Sequence, residues 1–191
     1  MKKGTFYFLI GILISGTIAF VSIDKNVDTT NDFVKNYSKI LESMKTYTLQ
    51  VAEAMPADKY TFKPTDSVRS FGEQLAHLGM SSKFLLDVFI KDEKVAFDPY
   101  TEAETEQRIG ASKEEAIALI TSSLNEVIAT LKGMDSKSLN KKFTVVFDPK
   151  KPEFTKKEGF EFIRDHITHH RAQALVSLRM QGVKAPSYRF Y

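Results

Sequence analysis

The sequence predicts an all-α protein, a four-helix bundle with long connections between its helices and a hydrophobic helix ahead of it. Three observations carry this. Ser or Thr followed three residues later by an acid heads four separate stretches, apolar residues recur along those stretches at helical spacing, and an uncharged run of 20 residues stands near the N-terminus.

The N-terminal run comes first. After Met1, Lys2 and Lys3, residues 4–23 carry no charge. At about 1.5 Å per helical residue they reach about 30 Å, the hydrocarbon thickness of a bilayer. The two lysines favour the cytoplasmic side, so the rest of the chain is expected to be exported. Two readings stay open: an uncleaved anchor that tethers the protein to the membrane, or a secretory signal, with Thr17-Ile18-Ala19 as a small-residue cleavage site before Phe20. The expected division is therefore 1–23, signal peptide or anchor, and 24–191, an extracytoplasmic or periplasmic bundle.

The first helix of the bundle is expected from the box Thr29…Asp32 to about Ala54, with Phe33, Ile40, Leu41 and Met44 on one face. The second opens at Ser70…Glu73 and runs to about Ile90. Its Phe71, Leu75, Leu78, Leu85 and Phe89 make one stripe and its Met80, Phe84 and Val88 another, so it should be buried on most sides. The third opens at Ser112…Glu115 and runs to about Lys132 through Ala116, Ile117, Ile120, Leu124, Ile128 and Leu131. The fourth opens at Thr155…Glu158 and runs to about Met180 through Ile163, Ile167, Ala174 and Leu178. Gly133 and Gly182 stand where helix stops belong. The stretch with Pro56 and Pro64, residues 91–110 and residues 134–154 read as loops, the last with a short strand over 142–147. Their length implies that one of them crosses the bundle.

The chain has no cysteine, which excludes disulfides, thiolate metal sites, a cysteine nucleophile and a lipoprotein anchor. Its net charge of +3 includes Lys2 and Lys3, and no helix face carries a row of Lys and Arg, so nucleic acid is not an expected partner.

Chemistry concentrates in the histidines, of which there are four. His166 and His170 are one turn apart on the fourth helix and share a face. His77 lies mid-way along the second helix, on the face of Met80, Phe84 and Val88, and His170 falls beside the Ile163–Ile167 stripe. Imidazoles placed in an apolar interior without partners cost about 1–3 kcal/mol each. Binding one divalent ion through neutral ring nitrogens removes that cost, so His77, His166 and His170 are the expected metal ligands. A core histidine bonded to a carbonyl is the plain alternative for His77. His169 points about a quarter-turn away and is expected in a supporting role. The zincin motif is excluded because Ile167 follows His166 where that motif needs Glu. Three histidines leave a coordination position open, the pattern of a catalytic metal. Asp165, Glu73, Arg171 and Gln173 are candidate helpers, although Glu73 also completes a capping box.

Two stretches carry a family resemblance. Residues 55–64, MPADKYTFKP, followed by 68–77, VRSFGEQLAH, form the first, and residues 165–173, DHITHHRAQ, followed by 178–186, LRMQGVKAP, form the second. In order, spacing and flanking prolines the sequence resembles the DinB/YfiT-like superfamily; Ala172 departs from the glycine usual after His-Arg, and the exported N-terminus departs from the commonest members. The resemblance implies a bundle with one divalent metal, zinc or nickel, held by His77, His166 and His170, a small-molecule substrate and pairing of bundles into a homodimer. Members include thiol transferases, isomerases and proteins described as metal-dependent hydrolases. It implies a metal-dependent enzyme of hydrolase or thiol-dependent transferase type, with export favouring hydrolysis. A non-enzymatic binding module held together by its metal is the alternative.

Overall fold

Four long helices form a closed ring. In this computed structural model, which describes residues 29–190, they are α1 (Thr29–Ala54), α2 (Phe71–Leu85), α4 (Lys113–Lys132) and α6 (Lys156–Met180). Around the ring the order is α1, α4, α2, α6, with α1 opposite α2 and α4 opposite α6. The expected hydrophobic helix at 4–23 and the side chain of Thr29 lie outside the described residues. Among the described residues no helix is long and apolar enough to cross a membrane.

Side-chain contacts set the helix directions. Tyr37 donates to the Phe160 carbonyl and Arg171 lies over the Tyr47 ring, so α1 and α6 run parallel. Gln74 meets Gln173 and Ser81 meets His166, so α2 runs against α6. Lys45 bonds Asn125 and Lys132 bonds Glu42, so α4 runs against α1. The pattern is up, down, down, up. Two consecutive bundle helices that point the same way need a crossing connection, as the loop lengths implied.

Two of the four boxes seen in the sequence are complete caps and a third is half formed. Ser70 and Glu73 bond each other's backbone N–H groups, and Thr155 and Glu158 do the same. Ser112 accepts from the Glu115 N–H, but the Glu115 carboxylate is spent on Arg108. Phe71, Leu75, Leu78, Leu85 and Phe89 are buried as one stripe of α2, each contributing up to about 1.5–3 kcal/mol. The second expected stripe, Met80, Phe84 and Val88, is only half-buried, and Phe84 and Val88 border an opening beside the bundle. The last turn of this helix widens to a π-turn over Leu86–Ile90. The buried Lys156 ammonium closes that end, donating to the Ile90 carbonyl at 2.6 Å and pairing with Asp92.

The structure corrects two connections. Residues 91–110, expected as a loop, contain α3 (Pro99–Gly110), a helix begun by the Asp98 side chain with Pro99 at its first position. It returns antiparallel along α2, with Phe97 near Phe84, Glu106 at His77 and Gly110 against Gly72. Residues 134–154 contain a one-turn helix α5 (Ser136–Leu139) and an antiparallel hairpin. Its strands are β1 (Lys142–Thr144) and β2 (Glu153–Thr155), so the strand expected over 142–147 is shorter and has a partner the pattern did not show.

The crossing of α3 and α2 depends on two glycines. A Cβ on Gly72 would stand 1.8 Å from the Gly110 carbonyl oxygen, and one on Gly110 would stand 2.5 Å from the Glu73 nitrogen. Both obstacles are backbone, so the helices must separate to admit a methyl. Gly72→Ala and Gly110→Ala are each expected to lower stability by about 2 kcal/mol, read from urea-unfolding midpoints. Midpoints equal to that of the parent chain would rule out so close a crossing.

Candidate metal centre

His77 comes from the middle of α2, and His166 and His170 from successive turns of α6. Antiparallel packing of these helices brings the three rings together, although 89 residues separate His77 from His166. Ring centroids are 4.4 Å apart for His77 and His170, 4.5 Å for His166 and His170, and 5.4 Å for His77 and His166. One ligand atom from each ring lies within 4.8 Å of the others. Tetrahedral ligation at Zn–N lengths of 2.0–2.1 Å needs nitrogens about 3.3 Å apart. Small side-chain rotations close that difference, so the donor set fits one divalent cation.

Partners around the rings settle which nitrogens remain free. His77 Nδ1 is 2.5 Å from Glu106 Oε1, and a carboxylate there requires the ring to donate, leaving Nε2. A directional chain serves His170. Gln173 Nε2 donates to His169 Nε2 at 2.7 Å, Gln74 Nε2 donates to Gln173 Oε1 at 2.6 Å, and His170 Nδ1 donates to Gln74 Oε1 at 2.8 Å. Each amide then has one orientation, and His170 also keeps Nε2. Ser81 donates to the His77 carbonyl at 2.5 Å and accepts from His166 Nε2 at 2.8 Å. Coordination through that nitrogen requires His166 to release Ser81, whose hydroxyl keeps its own acceptor.

Glu106 is 6% exposed, and its carboxylate stays charged through two partners. Burial acts to raise its pKa; hydrogen bonds from His77 and Arg69 outweigh that and hold it below the usual range. Arg69 Nε donates to Oε2 at 2.6 Å, so the arginine orients the carboxylate that orients His77. Glu102, one turn earlier on α3, has a raised pKa because it is partly buried and close to Glu106.

Of the candidate helpers, Gln173 belongs to the His170 chain, and His169 stands behind His170 at its far end. Glu73 completes the α2 cap and pairs with Lys63, Asp165 is an exposed partner of Arg164, and Arg171 faces α1 over Tyr47. Glu73 and Asp165 are thus engaged away from the rings. Sequence reasoning missed Glu106, Arg69, Ser81 and Gln74. The signal for Glu106 was the Asp98-Pro99 helix start, which makes residues 99–110 a helix able to carry it to α2. A cavity of about 210 Å³ adjoins the site and is lined by their supports Arg69, Gln74 and Gln173, with Pro64, Val68 and Val176, and by none of the histidines.

A sequence model of the DinB superfamily matches residues 40–174. The chain belongs to the DinB superfamily. Its fold is similar to the crystal structure of a DinB-like protein from Bacillus subtilis, with 17% identity, a TM-score of 0.60, and 81% of this chain and 98% of that chain covered. None of the curated proteins matches the sequence. This DinB-superfamily chain thus combines the family's helical fold with a three-histidine group able to hold a metal ion.

Burial, then the neighbouring His77, lower the pKa of His166 to about 4 and that of His170 to about 3. Both rings are neutral in the folded chain at pH 7. The unfolded chain takes up these protons near 6.5, so the linked stability is full above that value and is lost as pH falls toward about 4 and then 3. The urea midpoint of chelator-treated protein is expected to drop steadily from about pH 6.5 to 5. The double variant His166→Asn, His170→Asn should lose most of that slope; a flat parent profile would contradict buried neutral rings.

Proposed function

We propose that this chain is a metal-dependent enzyme of hydrolase or thiol-dependent transferase type, with one divalent ion, zinc or nickel, held by His77, His166 and His170. The observation that carries the reading is the meeting of three imidazoles, two of them oriented by Glu106 and Gln74 so that Nε2 remains for a cation. When bound, the ion supplies a Lewis acid with a position open to a small-molecule substrate or water. Glu106 and Arg69 fix the His77 ring, and Gln74 and Gln173 fix the His170 ring. Glu102, whose carboxyl holds its proton more firmly than usual, supports a proton-accepting role near His77. The uncharged run 4–23 behind Lys2 and Lys3 supports export, with the bundle on the extracytoplasmic side. There hydrolysis needs no cytosolic thiol and is the favoured reaction.

The alternative, a module that uses the metal only to hold itself together, has less support. Structural zinc sites are closed by four protein ligands, whereas the group here has three, and Glu106 is turned to His77 Nδ1. The apolar core also packs residues from all four long helices, independently of the histidines.

His77→Ala, His166→Ala and His170→Ala are each expected to abolish one-to-one metal content, measured by elemental analysis of untagged protein. Retention of a full equivalent in any of them would remove that residue from the ligand set. Chelation is expected to abolish activity on the eventual substrate while the bundle stays folded by circular dichroism; melting on chelation would favour the structural module. Glu106→Gln is expected to weaken metal binding about 10–100-fold, because it keeps an acceptor for His77 but loses the charge. Unchanged affinity in a competition titration would leave Glu106 without a part in the site.

A further inference from the structure

One end of the bundle carries apolar surface that the fold leaves unused. Phe97, Val146, Phe147 and Phe162 are between 50% and 65% exposed. They are not scattered: Phe97 lies 5.7 Å from Phe84, and Phe147 lies 6.4 Å from Phe84 and 5.9 Å from Phe89. Between them a groove of about 430 Å³ is lined by Phe84, Val88, Phe97, Phe143, Val146 and Phe147. Contiguous apolar surface of this kind marks an interaction face.

Three further observations say what covers it. The first is charge. The segment between α5 and α6 carries Lys141, Lys142, Lys150 and Lys151 against Asp148 and Glu153, a surplus of two positive charges beside the exposed Val146 and Phe147. On the opposite lip of the groove Glu93 and Lys94 cancel, and Asp92 is paired with Lys156. The second is rigidity. The Lys150 N–H donates to the Asp148 carboxylate at 2.8 Å and the Lys151 N–H to the Asp148 carbonyl at 2.9 Å, so the tip is held in a tight turn.

The third is where the chain leaves the bundle. The Lys157 ammonium lies 4.6 Å above the Phe33 ring, and α1 runs parallel to α6, so α1 begins at the end where β2 feeds α6. Residues 24–28 separate α1 from the uncharged segment 4–23. Five residues reach at most about 18 Å. A bilayer that holds 4–23 therefore lies within about 18 Å of the start of α1, on the side of the bundle end that carries the hairpin.

We infer that the 142–155 hairpin and the aromatic groove beside it form a membrane-contact face, in which Val146, Phe147 and Phe97 enter the interfacial layer and the four lysines meet anionic lipid headgroups. Aromatic rings settle at the headgroup level, and each basic residue near an anionic surface adds about 1 kcal/mol. The inference rests on the reading of residues 4–23 as a bilayer segment and not on the metal. It sets the orientation of the enzyme: the groove faces the lipid, and His77 lies two turns along α2 from Phe84, about 10 Å.

The chain has no tryptophan, so a single introduced indole is an unambiguous reporter. Full-length Phe147→Trp is reconstituted into vesicles of phosphatidylcholine and phosphatidylglycerol whose acyl chains are dibrominated. Val176→Trp, on the exposed C-terminal part of α6, is the control, and Val146→Trp repeats the test should the first variant misfold. The hairpin indoles are expected to be quenched several-fold more than the control. Lys150→Glu with Lys151→Glu should reduce that quenching, as should high salt. Flotation with the vesicles but no excess hairpin quenching would sink the contact face alone; failure to float would sink the bilayer reading of 4–23 with it. Equal quenching at both sites would mean an unoriented bundle and overturn the inference. A blue-shifted, concentration-dependent hairpin emission without lipid would assign the groove to a second copy of the chain and overturn it as well.

Discussion

Two of the imidazoles at the centre of this protein, His77 and His170, each spend one nitrogen on a protein partner, and the placing of α3 and α6 against α2 turns on that requirement. His166 and His170 are held neutral by burial and by the adjacent His77, whose ring centroid lies 5.4 Å and 4.4 Å from theirs. A neutral ring has one donor and one acceptor. Glu106 and Gln74 take the donors of His77 and His170 and leave Nε2 of each ring as the acceptor. Unlike general apolar packing, this needs particular side chains on α2, α3 and α6 at particular heights.

The role of α3 follows. It contributes little to the core, for only Ile109 among its side chains packs against it as a hydrophobic residue. It is placed instead by backbone-to-backbone approach at Gly72 and Gly110 and by the charged cluster of Arg69, Glu106 and His77. Breaking that cluster on one side would leave a buried charge unpaired, which costs more than the intact cluster contributes. The helix therefore serves the site more than the stability of the bundle. Its apolar signal is correspondingly weak.

This weakness explains what the sequence could and could not show. The four long helices announced themselves because capping boxes and apolar stripes are local and both agree. His166 and His170 were visible as a pair for the same reason, and His77 followed as the one histidine placed to join them. By contrast, residues 99–110 lack an apolar stripe, so their only local signal was Asp98 ahead of Pro99. The Glu106 contact to His77 spans 29 residues and the Gln74 contact to Gln173 spans 99. Both are products of the up-down-down-up path, which no periodicity contains. The hairpin partner at 153–155 was hidden likewise: three residues are too few to alternate.

Charge then narrows the chemistry the site can support. Three neutral imidazoles bring no charge to an ion, and the carboxylate behind His77 is shared with Arg69, whose guanidinium lies 2.6 Å from it. Most of a divalent charge would stay uncompensated by the protein. Glu102 stands one turn from Glu106 with a raised pKa, an acceptor for a proton and not a ready counter-charge. A site so built favours a ligand that arrives as an anion or gives up a proton on arrival, which describes water in hydrolysis and a thiol in transfer equally well. On the proposed metal-dependent reading, the residues around the histidines support proton-releasing chemistry as a class. The choice within it falls to what reaches the site, and the supports Arg69, Gln74 and Gln173 already line the cavity at its edge.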